Sequence, residues 1–163
     1  MRKFEKISYE EFSKSVIDDK ELYNSIELPK RSTKNSCGYD IMSASKGVIM
    51  PHESMIFKTG IKAMMNSDEV LYIYSRSGQG FKNDVSLSNS VGLIDADYYN
   101  NSSNEGHIMI KLINHSDKEY IVNIGDKIAQ GVFMKYLIVD EEEEINNIRN
   151  GGFGSTNGDD KNG

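Results

Sequence analysis

The sequence has too few cysteines for an internal disulfide and lacks a hydrophobic segment long enough to cross a membrane. One cysteine, Cys37, occurs among 163 residues, which excludes an internal disulfide and favours a reducing compartment. No apolar run approaches the roughly 20 residues of a membrane helix, and residues 1–15 lack the apolar core of a signal peptide. We therefore expect a cytoplasmic protein without membrane binding, folded as a single domain over residues 1–163.

Acidic residues outnumber basic ones, with 25 Asp and Glu against 19 Lys and Arg. The formal net charge is −6 and no basic stripe appears, which argues against a general nucleic-acid binder. The densest charge run, 140–144, is acidic and typical of a solvated surface segment. An anionic ligand would need a local cationic pocket that overcomes this background.

Both ends of the chain differ from its middle. Residues 1–28 form an extension with a predicted helix at 7–20, where Ser8 and Glu11 have capping-box spacing and Ile7 with Phe12 fits a hydrophobic staple. Residues 149–163 are rich in glycine and predict a flexible C-terminal arm.

The pattern between the two ends is β. Alternating apolar residues mark short strands, as in Val70–Tyr74 and in the shared face of Ile108, Ile110 and Leu112. Turn signals separate these runs, and no strand–helix alternation indicates a Rossmann-type domain. An all-β sandwich or barrel is predicted.

Two segments in the first half carry polar groups at expected turns. Glycine before an aromatic and an acid, at Gly38, Tyr39 and Asp40, predicts a tight bend that presents the carboxylate. Residues 75–80, directly after an apolar strand, combine Arg76 with a Ser77-Gly78 turn that could offer donors to a phosphate. Each segment alone is also typical of an ordinary turn.

Three further segments follow in the second half. Residues 89–98 place Asp95 at the end of a strand in which Val91, Leu93 and Ile94 are expected to be buried, where a carboxylate could act as a general base. Residues 125–130 enter another strand and carry Gln130. The arm combines an arginine, a phenylalanine and two hydroxyls, although a disordered terminus is an equally open interpretation.

In this order, the five segments resemble the five motifs of the trimeric dUTPase family, over about three quarters of the chain. The resemblance implies a jelly-roll-like (β-clip) fold and a homotrimer with sites at subunit interfaces. It implies hydrolysis of dUTP to dUMP and pyrophosphate, which limits uracil in DNA and supplies dUMP for dTMP synthesis.

The resemblance also assigns roles. Asp95 matches the carboxylate that activates water, Asn89 reads the uracil edge with the backbone of Gly92, Leu93 and Ile94, and Tyr98 packs under the deoxyribose. Phosphate contacts fall on Arg76, Ser77, Gly78 and Gln130. In the arm, Arg149 would contact the γ-phosphate, Phe153 would stack on uracil, and Gly154, Ser155 and Thr156 complete the motif. Mg²⁺ would be held by the triphosphate and water, with Asp40 nearby and no direct protein ligand.

Several positions depart from the family pattern. Lys127 stands where arginine is common, Cys37 where alanine is usual, and the step from Arg149 to Phe153 is one residue short. Residues 100–105 intervene before Gly106, which we interpret as a lengthened hairpin tip. Met109 then takes the next pocket-lining position.

Two rival interpretations remain open. A dCTP deaminase shares the fold but needs a glutamate where this chain has Lys111. A nucleotide-sensing regulatory protein on the same scaffold would keep the pocket without needing turnover.

Overall fold

The computed structural model describes residues 1–143 and 145. The described residues form β-strands Lys3–Lys6 (β1), Lys30–Arg31 (β2), Tyr39–Met42 (β3), Gly47–Ile49 (β4), Ser54–Lys58 (β5), Ile61–Met64 (β6), Glu69–Tyr74 (β7), Val85–Leu87 (β8), Gly92–Asp95 (β9), Met109–Asn114 (β10), Tyr120–Val122 (β11) and Lys127–Lys135 (β12). The helices are Tyr9–Ser15 (α1), Lys20–Ser25 (α2), Ser77–Asn83 (α3) and the 3-10 turn Ala96–Tyr98.

Antiparallel sheets build the molecule. The largest has the order β2-β3-β12-β7-β9, a second has the order β5-β10-β8, and β1-β6 and β11-β4 form two-stranded pairs. The largest sheet is centred on β12, which pairs with β3 on one side and with β7 on the other. The mostly β architecture with few helices confirms the predicted all-β, jelly-roll-like class.

The core lies between the inner faces of the two larger sheets. Ile41 and Leu71 enter it from the five-stranded sheet, and Phe57, Ile110 and Leu112 enter it from the three-stranded sheet. Because side chains alternate along a strand, Ile110 and Leu112 fall on one face, and Ile108 just before β10 is buried with them. This confirms the predicted shared face, and each such burial contributes roughly 1.5–3 kcal/mol.

Strand β9 corrects one prediction. Val91 and Leu93, expected to be buried, are 39% and 60% exposed in this chain. Leu93 lies opposite Tyr72 of β7, whereas Ile94 lies opposite the fully buried Leu71. Because side chains alternate along the strand, Gly92 and Ile94 lie on the face that packs against the core, and Leu93 lies on the opposite face.

The N-terminal region is more elaborate than the single helix predicted at 7–20. It contains β1, α1 and α2, and α2 is capped by Asp19, whose carboxylate accepts from the Leu22 N–H. Ser8 caps α1 as expected, and Ile7 and Phe12 are buried together. The other half of the predicted capping box is wrong, because the Ser8 N–H donates to Glu105 rather than to Glu11.

Residues 100–106 also differ from the expected exposed hairpin tip. Asn101 is buried, and Glu105 bonds Ser8 of the N-terminal extension and Lys62 of β6. The inserted loop and the extension therefore pack against each other. Along the described part of the chain, no helix is long and apolar enough to cross a membrane.

Candidate active site

A pocket of about 480 Å³ lies between β9 and β10. It is called the β9–β10 pocket below. Six residues that the sequence assigned to nucleoside recognition line it: Asn89, Gly92, Leu93, Ile94, Tyr98 and Met109. The structure therefore brings this group together as predicted, although their role in binding a ligand stays a prediction.

Local geometry makes the pocket suited to reading a polar edge. β9 is the end strand of its sheet, so no neighbouring strand of the described chain covers its outer edge. Gly92 permits close packing beneath, because a Cβ there would lie 3.0 Å from the Ile73 Cβ. Asn89 follows β8, and its side-chain amide has no hydrogen-bond partner among the described residues. Its donor and acceptor are both available to a ligand.

Tyr98 forms a fixed wall of this pocket. It is 5% exposed, and its phenol donates to the His107 carbonyl at 3.0 Å. His107 is in turn 1% exposed, with its Nε2 accepting from the Gly60 N–H at 2.9 Å. Burial, and then the charge of Lys58, lower the pKa of His107 to about 4. The imidazole is therefore neutral at pH 7 and acts as a structural acceptor.

A second group of predicted residues meets around Asp40, and we call Asp40, Arg76, Lys127 and Gln130 the Asp40 cluster. Strand register produces it: Gln130 of β12 lies opposite Asp40 of β3 and opposite Tyr74 of β7, two residues before Arg76. Gln130 donates from Nε2 to the Ser75 carbonyl at 3.0 Å. Segments that are distant in the sequence thus converge around the first half of β12.

Asp40 is the electrostatic centre of the cluster. Its Oδ1 lies 3.1 Å from Arg76 Nε and its Oδ2 lies 2.7 Å from Lys127 Nζ. The Ser32 hydroxyl also donates to Oδ2 at 2.6 Å. Burial alone would raise the pKa of Asp40, but the bonds from Lys127 and Ser32 and the charge of Arg76 outweigh it, so the pKa lies below its usual value. Asp40 is therefore ionised at neutral pH.

The segment after β7 corrects another expectation. Ser77 and Gly78, predicted to lie in a turn, are the first residues of helix α3, with Arg76 at its N-cap. Both residues are exposed, and space around Gly78 is open. Both residues are accessible beside Arg76. Their contact with a phosphate therefore stays a prediction, now from the start of a helix and not from a turn.

Asp95 lies apart from both groups within one chain. It lines a separate hollow with Met65, Ser67, Ala96, Asp97 and Tyr136, called the Asp95 hollow below. The residue opposite it on β7 is Val70, whereas Ile94 lies opposite the buried Leu71. Because successive residues point to opposite faces, Asp95 points away from the face that carries Ile94.

The structure of one chain therefore does not place Asn89, Asp95 and Arg76 around a common cavity. None of the Asp40 cluster lines the β9–β10 pocket or the Asp95 hollow. The predicted arm residues Arg149, Phe153, Gly154, Ser155 and Thr156 lie outside the described residues.

The sequence did not identify two contributors. Lys127 was noted only as a departure from the family motif, yet it makes the shortest ion pair with Asp40. The Ser32 hydroxyl donates to the Asp40 carboxylate from a segment in which the sequence showed no functional motif. Ser32 directly follows β2, and a strand of two residues is too short to show a hydrophobic alternation in the sequence.

The described residues contain no group of three or more His, Cys, Asp or Glu side chains arranged for a metal ion. Mg²⁺ commonly uses one or two carboxylates together with substrate phosphates and water. The Asp40 carboxylate is already bonded to Arg76, Lys127 and Ser32, so it fits a place near an ion that substrate phosphates and water hold, and not a direct ligand position.

A family model described as dUTPase matches residues 24–157. The chain belongs to the dUTPase family. It is 47% identical to the deoxyuridine 5'-triphosphate nucleotidohydrolase of Lactococcus lactis over 132 residues, which cover 80% of this chain and 88% of that protein. It is 35% identical to the protein of the same name from Helicobacter pylori J99 over 133 residues, covering 79% of this chain and 88% of that protein.

Solved structures agree with this family assignment. The dUTPase from Streptococcus mutans superposes with a TM-score of 0.70 at 39% identity, covering 85% of this chain and 98% of that one. A dUTPase from phage phi11 of S. aureus, at 22% identity and a TM-score of 0.66 over 91% of this chain and 97% of that one, shares the fold. The resemblance inferred from the five segments is thereby confirmed.

The deaminase interpretation gains no support from the pocket. Lys111 of β10, at the position where a deaminase is expected to carry glutamate, lines the β9–β10 pocket. A lysine cannot supply the carboxylate chemistry that the deaminase requires.

Proposed function

We propose that this member of the dUTPase family hydrolyses dUTP to dUMP and pyrophosphate. The observation that carries the proposal is the grouping of Asn89, the β9 backbone and Tyr98 around one pocket of nucleoside size. By removing dUTP, the enzyme would limit uracil in DNA and supply dUMP for dTMP synthesis, in the cytoplasm.

The β9–β10 pocket receives deoxyuridine. The unengaged amide of Asn89 and the uncovered edge of β9 supply donors and acceptors for the uracil edge. A base with the wrong pattern is rejected because the polar groups that it covers would go unpaired. Tyr98 packs under the sugar, where a 2′-hydroxyl would meet a fixed wall. Met109 lines the mouth of the same pocket.

The Asp40 cluster receives the triphosphate. Arg76 and Gln130 donate to phosphate oxygens, and the exposed Ser77 and Gly78 at the start of α3 lie next to Arg76. When bound, Mg²⁺ neutralises triphosphate charge and orients the α-phosphorus. Asp40 would lie near that ion without bonding it directly, and its ion pairs keep Arg76 and Lys127 in place.

Asp95 activates the attacking water. It removes a proton as the water attacks the α-phosphorus in line, and pyrophosphate leaves without a covalent enzyme intermediate. Arg149, Phe153, Gly154, Ser155 and Thr156 of the arm close over the nucleotide, excluding bulk water.

A homotrimer brings these parts together. Asp95, the β9–β10 pocket and the Asp40 cluster occupy separate places in one chain, so one nucleotide can meet all three only if neighbouring subunits share a site. Exposed apolar side chains near the site, Val91 and Leu93, are suited to burial between subunits.

The test is pyrophosphate release from dUTP, dTTP, dCTP and UTP in the presence of Mg²⁺. We expect dUTP to be preferred strongly, with dUMP as the nucleotide product. Conversion of dCTP to dUTP, or equal turnover of all four nucleotides, would contradict the proposal. Binding of dUTP without turnover would favour the nucleotide-sensing alternative.

A further inference from the structure

The inserted loop Asn100–Gly106 closes directly onto the pocket tyrosine. Asn104 Nδ2 donates to the Tyr98 phenol oxygen at 2.8 Å, and that phenol donates to the His107 carbonyl at 3.0 Å. The phenol is therefore held on both its donor and its acceptor side by residues of this loop and the residue after it.

The orientation of the Asn104 amide is fixed by its own partners. Its Oδ1 accepts from Asn101 Nδ2 at 2.9 Å and from the Gly106 N–H at 3.1 Å. Two donors on that oxygen leave Nδ2 facing Tyr98, so the assignment of the amide follows from the network.

Asn101 ties the same loop to the Tyr98 backbone. Its Nδ2 donates to the Tyr98 carbonyl at 2.8 Å. Its Oδ1 accepts from the N–H groups of Ser103 and Asn104 at 3.0 and 3.2 Å. Because this asparagine is buried, an unmet bond would be costly, and the loop is held in one form.

The outer side of the loop is anchored as well. Glu105 accepts from the Ser8 hydroxyl at 2.5 Å and from Lys62 at 3.0 Å, while Lys62 also donates to Asn100 at 2.6 Å. Gly106 has φ of +84° and passes so close to Tyr98 that a Cβ would lie 2.5 Å from its carbonyl oxygen.

We propose that Asn104 is a positioning residue that fixes the Tyr98 ring in the pocket wall and so sharpens discrimination between 2′-deoxy and 2′-hydroxy nucleotides. This rests on the proposed function, in which Tyr98 packs under the sugar. Without Asn104 the phenol oxygen loses this donor, keeps its bond to the His107 carbonyl, and the ring gains freedom to pivot. A Tyr98 ring that can move then excludes the 2′-hydroxyl of a ribonucleotide less effectively.

The test compares Asn104→Ala and Asn104→Asp with Asn123→Ala as a surface control. The aspartate keeps an acceptor for Asn101 and Gly106 but cannot donate to the phenol. We expect both Asn104 variants to lower the ratio of kcat/KM for dUTP to that for UTP by about 10-fold. The control should match the wild-type ratio. A folded Asn104 variant with the wild-type ratio overturns the proposal.

A double-mutant cycle separates positioning from general damage. In a Tyr98→Phe background, Asn104→Ala should leave the ratio unchanged, because the bond it removes is already absent. Thermal unfolding of the same four proteins should show non-additive shifts in Tm, a readout that needs no substrate. Additive shifts would overturn the positioning role of Asn104, even if dUTP were not a substrate. Non-additive shifts together with an inactive wild-type protein would reject only the proposed function.

Discussion

The β9–β10 pocket and the Asp40 cluster are built in different ways. The pocket consists of an uncovered strand edge, apolar side chains and an asparagine amide without a partner among the described residues. In the cluster, Arg76 and Lys127 are both already engaged by one carboxylate, Asp40. The pocket is therefore ready for a neutral nucleoside, whereas phosphates must compete with existing ion pairs for the cations.

The comparison gives the two regions separable tasks. Shape and hydrogen-bond pattern in the pocket decide which base and sugar enter. Charge in the cluster decides how tightly a triphosphate is held, and partial internal neutralisation limits non-specific binding of other anions. Asp95 belongs to neither region, which makes it the sharpest place to test the division.

Asp95→Asn should have the largest effect. Loss of the general base is expected to lower kcat by about 10³-fold while leaving the affinity for dUMP close to wild type. Pyrophosphate release and equilibrium dUMP binding measure the two quantities. Asp117→Asn, at an exposed position, is the matched control. An unchanged kcat in the Asp95 variant would refute the assignment of the base.

Arg76→Ala should affect only the charged region. We expect kcat/KM for dUTP to fall on the order of 100-fold, since a charge-assisted phosphate contact is lost. Binding of dUMP, which lacks the outer phosphates, should change far less.

Asn89→Ala is the reciprocal variant, and it should weaken the binding of dUTP and the binding of dUMP by similar factors. If both substitutions changed the two ligands alike, the division between pocket and cluster would fail.

Gly106→Ala should destabilise the fold through strain at the pocket wall. The positive φ and the close Tyr98 carbonyl predict a loss of about 2–3 kcal/mol in the free energy of unfolding, measured with urea. Gly125→Ala provides the control, because Gly125 has φ of +86° with open space around it and should cost about 1 kcal/mol. Equal losses would show that backbone strain alone, without the contact to Tyr98, accounts for the effect.

His107 predicts a smaller, pH-dependent effect on the same wall. Its pKa in the folded protein is about 4, below the ordinary 6.5, so the unfolded chain binds the extra proton first as pH falls. Stability from this residue is complete above pH 6.5 and is lost towards pH 4, by about 2 kcal/mol between pH 7 and pH 5. His107→Gln should flatten this slope in urea titrations. A variant with the wild-type slope would contradict the assignment.

The sequence predicted the parts of this molecule that depend on local alternation and ordered motifs. Ile108, Ile110 and Leu112 share a buried face, and the residues expected around a nucleoside line one pocket. Alternation also separates Asp95 from Ile94, but it does not say which side of an edge strand is covered, so the exposure of Leu93 was missed.

Long-range contacts were beyond what local patterns could predict. Ser8 was recognised as a helix cap, yet its reciprocal partner is Glu105, 97 residues away in an inserted loop. The clamp of Asn104 on Tyr98 likewise depends on how that loop closes, and a run of polar residues is equally typical of an exposed tip. Local patterns also failed at residues 77–83, where two glycines predicted a turn but the structure has a helix.

The central claim is that Asp95 and Arg76 act on one nucleotide although they lie apart in one chain. Subunits carrying Asp95→Asn and subunits carrying Arg76→Ala, each nearly inactive alone, can be unfolded together and reassembled. Random mixing should restore about a quarter of wild-type dUTP hydrolysis, since that share of interfaces joins the two intact residues. Mixed assemblies that stay as inactive as either parent would contradict a site shared between subunits.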